Sequence, residues 1–430
     1  MGDEANGGSG GAAPDRGAGF RARAGGAGPL APRSHSTALV LDLLRTAGAD
    51  GMTRIKLAER TGLTPQAVSK ITARLRADGL ATEAGHRRST GGKPRTVLRL
   101  VPGAGHAVGA HLERDALRAV LVDLTGTVVR ETSRPLALTA GTGAEAVPAA
   151  VEAAVAEVAE AAGAARTLLG VGVALPGPLD HRRGVLHRVT GFPEWDGFPL
   201  RDALGERLGL PVVVDKDTNA AALRLAVGGT APAFAPRSSF AYLHLGTGLG
   251  AGLVLDGAVH RGARTGAGEF GHQVVQLDGP ECSCGNRGCV EALCLAAVRR
   301  GDLGEAARVL GVGAANLVAL LDIDLVLLGG RTVTAAPEVF VRGVTEVMDA
   351  RARREGGGDP RHAHGQGIGQ GQGRGRGRGI GFGSGSGAGS GLSPEGGVPV
   401  RIASGGERGV AEGAAQLVLG PLFGHGQAHG

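Results

Sequence analysis

The sequence predicts an α/β protein in which a winged helix-turn-helix precedes a larger domain built from two lobes. Residues 36–100 contain short amphipathic segments at helical spacing, followed by two strand-like runs. From residue 101 onward, strand-like runs alternate with helix-like runs in two successive blocks, the pattern of an α/β architecture. We therefore assign residues 1–35 to a tail, residues 36–101 to the winged helix-turn-helix and residues 102–424 to the two-lobed domain.

Three helices are predicted in the N-terminal unit. The first is "STALVLDLLRTAG", whose apolar residues recur at helical spacing before a terminal glycine. Thr53 is the expected N-cap of the second helix, and Thr64 is the expected N-cap of the third. Pro65 suits the first position of the third helix, and Gly79 is expected to end it. The second helix is expected to bury Ile55, Leu57 and Ala58.

The third predicted helix has an apolar face and a polar face. Its apolar stripe consists of Val68, Ile71 and Leu75. The opposite face carries Gln66, Lys70, Ala73 and Arg74, with Ser69 at its edge. The polar side chains among these are of the types that form hydrogen bonds with bases and phosphates. Two short helices joined by a tight glycine turn, the second with a basic outer face, indicate a helix-turn-helix. The alternative is a helical protein-interaction module.

The positive charge of the chain is concentrated in this unit. The formal net charge is +6, and residues 36–100 hold 12 Lys and Arg against 5 Asp and Glu. The expected wing loop carries four of these cations, Arg87, Arg88, Lys93 and Arg95. We expect Gln66, Ser69 and Lys70 to contact base edges, and Arg74 and the wing residues to contact phosphates. The unit is therefore predicted to bind operator DNA.

The remaining chain is predicted to form two lobes with a ligand site between them. "HAVGAHLERDALRAVLVDLTGTVV" predicts strands with turns at Glu113–Asp115 and Thr125–Gly126, followed by a helix over about residues 144–163. Further strands are "LLGVGVALPGPLD" and "PVVVD", and a second block begins at "SFAYLHLGTGLGAGLVLDGAVHRG". Ligands of such folds bind beyond the strand ends, between the lobes.

Two segments do not have the composition of a folded domain. The tail at residues 1–35 is rich in Gly, Ala, Pro and Arg, and residues 356–397 form a Gly-rich low-complexity stretch. We expect both to be disordered, the second as an insertion inside the second lobe. Its "RGRGR" run allows nonspecific contact with RNA or DNA as an alternative. No apolar run reaches the roughly 18 residues of a membrane span, so a cytoplasmic protein is expected.

A cysteine cluster predicts a metal site. The chain has four cysteines, and Cys282, Cys284 and Cys289 fall within eight residues, with His272 ten positions upstream. One nitrogen and three sulfurs are the ligands of a tetrahedral structural zinc site. Gly285 and Gly288 are expected to let the loop bend so that all three thiolates face one ion. The fourth cysteine, Cys294, is expected to be a small buried hydrophobic residue.

The stretch "GAGEFGHQVVQLDGPECSCGNRGCVEAL" resembles the signature of the ROK family, which joins sugar-responsive repressors and bacterial sugar kinases. The stretches "VGVALPGPLD", "VVVDKDTNAAAL" and "LHLGTGLGAGLVLDGAVHRG" agree with it, over roughly residues 36–355 and 398–420. The resemblance implies an actin-like ATPase fold, a sugar in the cleft between the lobes and zinc that orders a sugar-binding loop. It also implies that Glu269, His272 and Glu291 contact sugar hydroxyls. Asp217 matches the catalytic base of the kinases and is expected to be the fourth sugar-binding residue.

Departures from the kinase pattern argue against catalysis. Where the kinases have a Gly-rich phosphate turn, this chain reads "HLERDAL", with Glu113, Arg114 and Asp115 in place of glycines. The motif on the adenosine side ends in Arg331 instead of a third glycine, and Lys216 replaces the usual Asn before Asp217. Carboxylates that face a triphosphate repel it. We therefore expect ATP binding to be lost.

These observations favour a sugar-responsive transcriptional repressor of carbohydrate metabolism that is not an enzyme. It is expected to bind operator DNA and a sugar or sugar phosphate, and to form a homodimer or a higher homo-oligomer. The second hypothesis is an ATP-dependent sugar kinase with an accessory DNA-binding domain and Asp217 as base. A third is a regulator that has lost ligand binding and responds to a protein partner. Trp195 is expected to border the sugar cleft; the alternative is that it only fills the core of the first lobe.

Overall fold

Three sheets organise the chain. The structure is a computed structural model that describes residues 34–87, 95–113, 115–136, 143–189, 193–228, 238–354 and 397–425. Within these ranges the strands form a three-stranded sheet, two five-stranded sheets and one small hairpin. The three-stranded sheet belongs to the N-terminal unit, and each five-stranded sheet is the centre of one lobe.

The N-terminal unit combines three helices with a small antiparallel sheet of order β1-β3-β2. Its elements are α1 His35–Ala47, β1 Met52–Thr53, α2 Arg54–Thr61, α3 Pro65–Ala77, β2 Ala81–Arg87 and β3 Arg95–Leu100. Thr53 caps α2 by accepting from the backbone N–H of Lys56, and Thr64 caps α3 by accepting from that of Ala67. Both predicted caps are confirmed. Helix α1 begins one residue inside the segment assigned to the tail.

The prediction that Ile55 is buried is wrong. Its side chain is 47% exposed, whereas that of Leu57 is fully buried and that of Ala58 is half-buried. Residues two apart on a helix point about 200° away from each other, so Ile55 and Leu57 cannot both face one core. Leu57 faces the core, and Ile55 faces outward.

The first lobe is built on a mixed sheet of order β10-β7-β4-β5-β6. Its strands are β4 His106–Leu112, β5 Ala116–Asp123, β6 Val128–Pro135, β7 Leu168–Leu175 and β10 Val212–Lys216, with the hairpin β8 Leu179–Asp180 and β9 Val185–Leu186. Helices α4 Ala146–Ala161 and α5 Leu200–Leu208 pack on this sheet. Both predicted hairpin turns, at Glu113–Asp115 and Thr125–Gly126, are confirmed.

The second lobe is built on a sheet of order β13-β12-β11-β14-β15. Its strands are β11 Phe240–Leu245, β12 Leu249–Leu255, β13 Ala258–His260, β14 Leu325–Gly329 and β15 Val400–Ile402. Its helices are α7 Val290–Arg299, α8 Leu303–Leu321, α9 Arg331–Ala335 and α10 Pro337–Arg354. Most of the Gly-rich segment at residues 356–397 lies outside the described residues, between α10 and β15.

Two helices connect the lobes. Helix α6, Asp217–Val227, packs against β12 of the second lobe, and α11, Gly409–Leu419, packs against β4 and β7 of the first lobe. The two helices cross each other closely, and an ion pair between Arg224 and Glu412 joins them. The order across the molecule is therefore first sheet, α11, α6 and second sheet.

The N-terminal unit shares a hydrophobic core with the first lobe. Val40, Leu44 and Leu98 of the unit belong to the same buried cluster as Val120 and Phe423. Beyond α11, a short turn at Gly420–Phe423 packs on α1. There Arg45 lies over the ring of Phe423, 5.3 Å from its centre, and His425 Nε2 lies 3.0 Å from Asp42 Oδ1. The unit is therefore packed on the lobe and not joined to it by a linker alone.

The expectation that no apolar run is long enough for a membrane span is wrong for helix α8. Among the described residues, Leu303–Leu321 is the one helix long and apolar enough to cross a membrane, by length and composition only. It packs against α7 and α10, and Leu310 and Ala314 are fully buried in the core of the second lobe. Core helices of globular lobes have this composition because they are buried on several sides. Charged residues interrupt the apolar run in the first turns of α8, so the run was not recognised in the sequence.

Candidate ligand cavity and metal site

A cavity of about 330 Å³ lies between the two lobes, a volume typical of small-molecule sites. The first lobe and α6 contribute its floor, and the glycine turn after β11 and the loop before α7 contribute its roof. Its charged and aromatic lining residues are Glu113, Trp195, Lys216, Asp217, His244, Glu269, His272 and Glu291. All four residues expected to bind sugar line this one cavity.

Asp217 and Glu291 reach the cavity from opposite lobes. Asp217 is half-buried at the first position of α6, where one carboxylate oxygen accepts from the backbone N–H of Thr218 at 2.6 Å. Glu291 lies in the first turn of α7, and its Oε2 accepts from the backbone N–H of Leu249 at 2.8 Å. Both carboxylates are therefore fixed by backbone groups, and each keeps an oxygen available for ligand hydroxyl groups.

Glu269 is held by Lys216. The Lys216 ammonium donates to Glu269 Oε1 at 3.0 Å and to the backbone oxygen of Ala267 at 2.5 Å. The Lys216 side chain is 4% exposed and that of Glu269 is 42% exposed. The carboxylate therefore lies at the rim of the cavity, with a buried cation behind it.

Charged side chains lie at the end of the cavity near the β4–β5 turn. The kinases have a Gly-rich phosphate turn at this position, and this chain lacks it. Burial raises the pKa of Glu113 above its usual range, against the opposing effect of Arg331 and His244. Asp115, on the same turn, forms a 3.0 Å ion pair with Arg331 at the start of α9. Two residues that depart from the kinase pattern thus meet each other across the cleft.

His272, Cys282, Cys284 and Cys289 converge on one point. Their ligand atoms all lie within 4.8 Å of one another. Cys282 Sγ is 3.6 Å from His272 Nδ1, and Cys284 Sγ is 3.7 Å from Cys289 Sγ. A tetrahedral ion with bonds of about 2.3 Å separates its ligands by about 3.7 Å, so these distances fit a four-coordinate metal.

The loop that carries the thiols depends on Gly288. Its φ is +66°, and a Cβ at this position would overlap the carbonyl oxygen of Gln276. Cys289, the next residue, is fully buried, and burial together with the neighbouring thiols raises its pKa to about 12. A bound cation would take the place of the Cys289 proton and stabilise the thiolate. The donor set therefore suits a bound metal ion.

His272 connects the metal cluster to the cavity. Its Nδ1 faces Cys282, and the same residue lines the cavity. An imidazole has two ring nitrogens, so one can bind a metal while the other forms a hydrogen bond with a ligand. The sequence assigned both roles to His272, and the geometry is compatible with both.

The residues expected to contact DNA form an exposed face. Gln66, Ser69, Lys70 and Arg74 are all exposed on α3, while Val68 and Leu75 are fully buried behind them. Ile71, expected in the buried stripe, is only half-buried. Of the four wing residues, Arg88 and Lys93 lie outside the described residues. The backbones of Arg87 and Arg95 pair with each other at the ends of β2 and β3.

Several cavity residues were not identified from the sequence. Glu113 and Lys216 were noted only as departures from a kinase pattern, and His244 was not noted at all. Trp195 is 2% exposed, belongs to the core of the first lobe and also lines the cavity. Both interpretations of Trp195 therefore describe part of its environment.

A second, wider recess of about 1060 Å³ lies beside the edge strand β10. It contains none of the predicted ligand residues. Its most buried charges, Asp215 and Arg261, already form an ion pair at 2.7 Å. Since these charges are satisfied within the protein, the smaller cavity with its converging carboxylates is the better candidate for ligand binding.

Comparison with known proteins identifies related chains. Residues 108–299 match the model of the ROK family. The chain is 29% identical to the xylose repressor of Bacillus subtilis over 56% of its own length and 61% of that protein. It is 26% identical to a putative xylose repressor of Caldicellulosiruptor over 70% of its length and 84% of that protein.

Solved structures share the fold. One described as a ROK family transcriptional regulator, a homologue of the Escherichia coli MLC protein, aligns with a TM-score of 0.66 at 19% identity. The alignment covers 91% of this chain and 98% of that structure. Sugar kinases of the same family are also among the structural neighbours. The predicted two-lobed fold behind an N-terminal helical unit is thereby confirmed.

Proposed function

Because residues 108–299 of this chain match the model of the ROK family, we propose that the protein is a sugar-responsive transcriptional repressor that acts in the cytoplasm. One observation carries the proposal: a cavity lined by carboxylates and an exposed basic helix are parts of one packed structure. The related repressors support it. The match spans only 61% of the Bacillus subtilis repressor, so the activity of the whole protein rests on this proposal.

The effector that fits the cavity is a neutral sugar. The lining carries four carboxylates, from Glu113, Asp217, Glu269 and Glu291, against the single ammonium of Lys216. Carboxylates accept hydrogen bonds from vicinal hydroxyl groups. A phosphate group carries close to two negative charges and is repelled by this lining. Sugar phosphates should therefore bind more weakly than the free sugars.

The metal proposed for the cluster is zinc, because one imidazole and three thiolates form a closed tetrahedral structural site. The ion would be held by His272, Cys282, Cys284 and Cys289. It fixes the loop that begins near Glu269 and ends at α7, which carries Glu291. Its role is to order the sugar-binding loop.

A continuous path joins the cavity to the DNA-binding face. Asp217, in the cavity, is the first residue of α6, and α6 packs on α11. The turn after α11 contacts α1 through Phe423 and His425. Closure of the lobes on a sugar displaces α6 and thereby shifts the winged helix-turn-helix, so operator affinity changes. Such coupling is typically about 1–3 kcal/mol, or about 5–150-fold in affinity.

Sugar binding should be visible in the fluorescence of Trp195, the only tryptophan. We expect D-xylose, D-glucose or N-acetyl-D-glucosamine to shift its emission with saturable dependence on concentration. Replacing Asp217 by Asn should weaken the response, because an amide replaces a carboxylate that accepts from sugar hydroxyls. Titration of wild type and variant measures this. An emission change that is identical in the Asp217→Asn variant would exclude Asp217 from the ligand site.

The kinase hypothesis predicts a different result in the same samples. ATP should neither change the Trp195 signal nor be consumed, because Glu113 and the Asp115–Arg331 ion pair occupy the phosphate side of the cleft. A coupled ATP-hydrolysis assay with the three sugars tests this. Sugar-dependent hydrolysis that disappears in the Asp217→Asn variant would establish the kinase and reject the repressor.

The DNA affinity should depend on the basic side chains of the winged helix-turn-helix. We propose that two chains pair so that both α3 helices enter successive major grooves of a palindromic operator, with half-sites about 34–36 Å apart or a multiple of that distance. Gln66, Ser69 and Lys70 contact bases, and Arg74 with Arg87, Arg88, Lys93 and Arg95 contacts phosphates. Replacing Arg87 by Ala should weaken binding to all sequences and lower the salt slope by about 1.

The matched control is Arg342→Ala, since Arg342 is exposed on α10 of the second lobe. Fluorescence anisotropy at several salt concentrations measures both variants, and light scattering measures the oligomeric state. A monomer whose DNA affinity does not depend on salt would contradict the model of recognition.

A further inference from the structure

The lysine at position 216 is unusual in this chain. The sequence has 46 Lys and Arg, and only four of them are Lys. Three of these four, Lys56, Lys70 and Lys93, belong to the N-terminal unit. Lys216 is therefore the single lysine of the last 330 residues. In a chain that otherwise uses arginine, a buried lysine suggests a site where an arginine does not fit.

The surroundings of Lys216 leave little width around its side chain. A Cβ added at Gly177 would lie 2.8 Å from Lys216 Cδ, so the stem passes close to the backbone there. The ammonium donates to Ala267 O at 2.5 Å, and a Cβ added at Gly268 would lie 3.8 Å from its nitrogen. A compact ammonium presents three donors from one atom, whereas a guanidinium is a planar group that needs more width.

Lys216 spans the two lobes. It is the last residue of β10 in the first lobe, and both of its acceptors, Ala267 O and Glu269 Oε1, belong to the second lobe. These two bonds use two of its three N–H groups. The residue also lines the cavity, so this bridge between the lobes lies at the candidate ligand site.

We propose that Lys216 is a positioning residue of the sugar site, which fixes the Glu269 carboxylate toward the ligand from the opposite lobe. The inference rests on the proposed sugar-binding function. One oxygen of Glu269 is occupied by the ammonium, and the other faces ligand hydroxyl groups.

The test begins with calorimetric titration of the wild-type chain with D-xylose, D-glucose and N-acetyl-D-glucosamine. For any sugar that binds, Lys216→Ala and Lys216→Met should each lower affinity at least about tenfold, as expected for loss of a charged hydrogen-bond donor. Lys216→Met retains most of the side-chain volume, so it decides the question if Lys216→Ala does not fold. Lys56→Met, at an exposed position, is the control and should bind as the wild type does.

Chemical rescue separates positioning from packing. n-Propylammonium supplies the atoms that Lys216→Ala removes and should restore sugar affinity, whereas n-propanol, of similar size but uncharged, should not. The double variant Lys216→Met with Glu269→Gln should bind no more weakly than Glu269→Gln alone, because Lys216 acts through Glu269.

The possible outcomes are distinct. If the wild type binds none of the sugars, both the proposed function and the role of Lys216 are rejected. If the wild type binds but the Lys216 variants bind equally well, only the role of Lys216 is rejected. Equal rescue by n-propanol would show that Lys216 only fills space and would also reject it.

Discussion

Replacing Cys284 by Ser should remove the metal and the sugar response together. Cys284 is exposed at the outside of the cluster, so the change leaves the core of the second lobe intact. Metal affinity should fall by more than about 100-fold, since even residues that only support ligands contribute about 10–100-fold. Glu269 and His272 are parts of the loop that the ion is proposed to fix, so the Trp195 response to sugar should disappear with the metal.

Elemental analysis and fluorescence titration measure the two effects. Wild-type protein should contain one zinc per chain, and a chelator should lower its melting temperature, because metal binding contributes to folding free energy. The chelator should have no effect on the Cys284→Ser variant. Cys294→Ala is the control, since this buried thiol bonds to Ala306 O and lies outside the cluster. Metal-free protein with normal sugar affinity would reject the proposed role of the ion.

The second large effect is expected at Gly413, where α11 crosses α6. A Cβ at this position would overlap the carbonyl oxygen of Ala220, so the Gly413→Ala variant forces the two helices apart. Overpacking costs about 1–3 kcal/mol and more where backbone must move, and we expect about 3 kcal/mol of stability to be lost. Because α11 lies between the first sheet and α6, sugar affinity and operator affinity should fall together.

Gly409→Ala in the same helix is the matched control. A Cβ at Gly409 would meet only the backbone oxygen of Ser404, at an ordinary contact distance of 3.7 Å. Denaturant unfolding of both variants, combined with sugar and DNA titrations, compares one substitution at two positions of α11. Equal stability of the two variants would show that α6 and α11 can move apart without loss of stability. That result would reject the proposed path between the ligand cavity and the DNA-binding face.

The elements of the fold that depend on local patterns were predictable from the sequence. The caps at Thr53 and Thr64, the two hairpin turns and the exposed face of α3 follow from residue types at short spacing. The metal cluster was predictable for the same reason, because three of its four residues lie within eight positions of each other. The prediction that Ile55 is buried was wrong because the sequence of a short helix does not fix which side of the helix faces the core.

Contacts between distant residues were not predictable from one sequence. Lys216 and Glu269 are 53 positions apart, and Asp115 and Arg331 are 216 positions apart. In the sequence, Lys216, Asp115 and Arg331 were separate departures from the kinase pattern, and Glu269 was an expected sugar ligand without an assigned partner. The hydrophobic core shared by the N-terminal unit and the first lobe was missed for the same reason, because part of it comes from the C-terminal helix.

That shared core limits how the proposed DNA-binding unit can be exchanged between proteins. A chimaera that grafts residues 34–100 onto another two-lobed domain would also replace the surface formed by Val120, Val122 and Phe423. The graft would then present Val40 and Leu44 to an unmatched surface or to water. A functional exchange of operator specificity therefore has to carry over the C-terminal turn together with the winged helix-turn-helix, although more than 300 positions separate Leu100 from Gly420 in the chain.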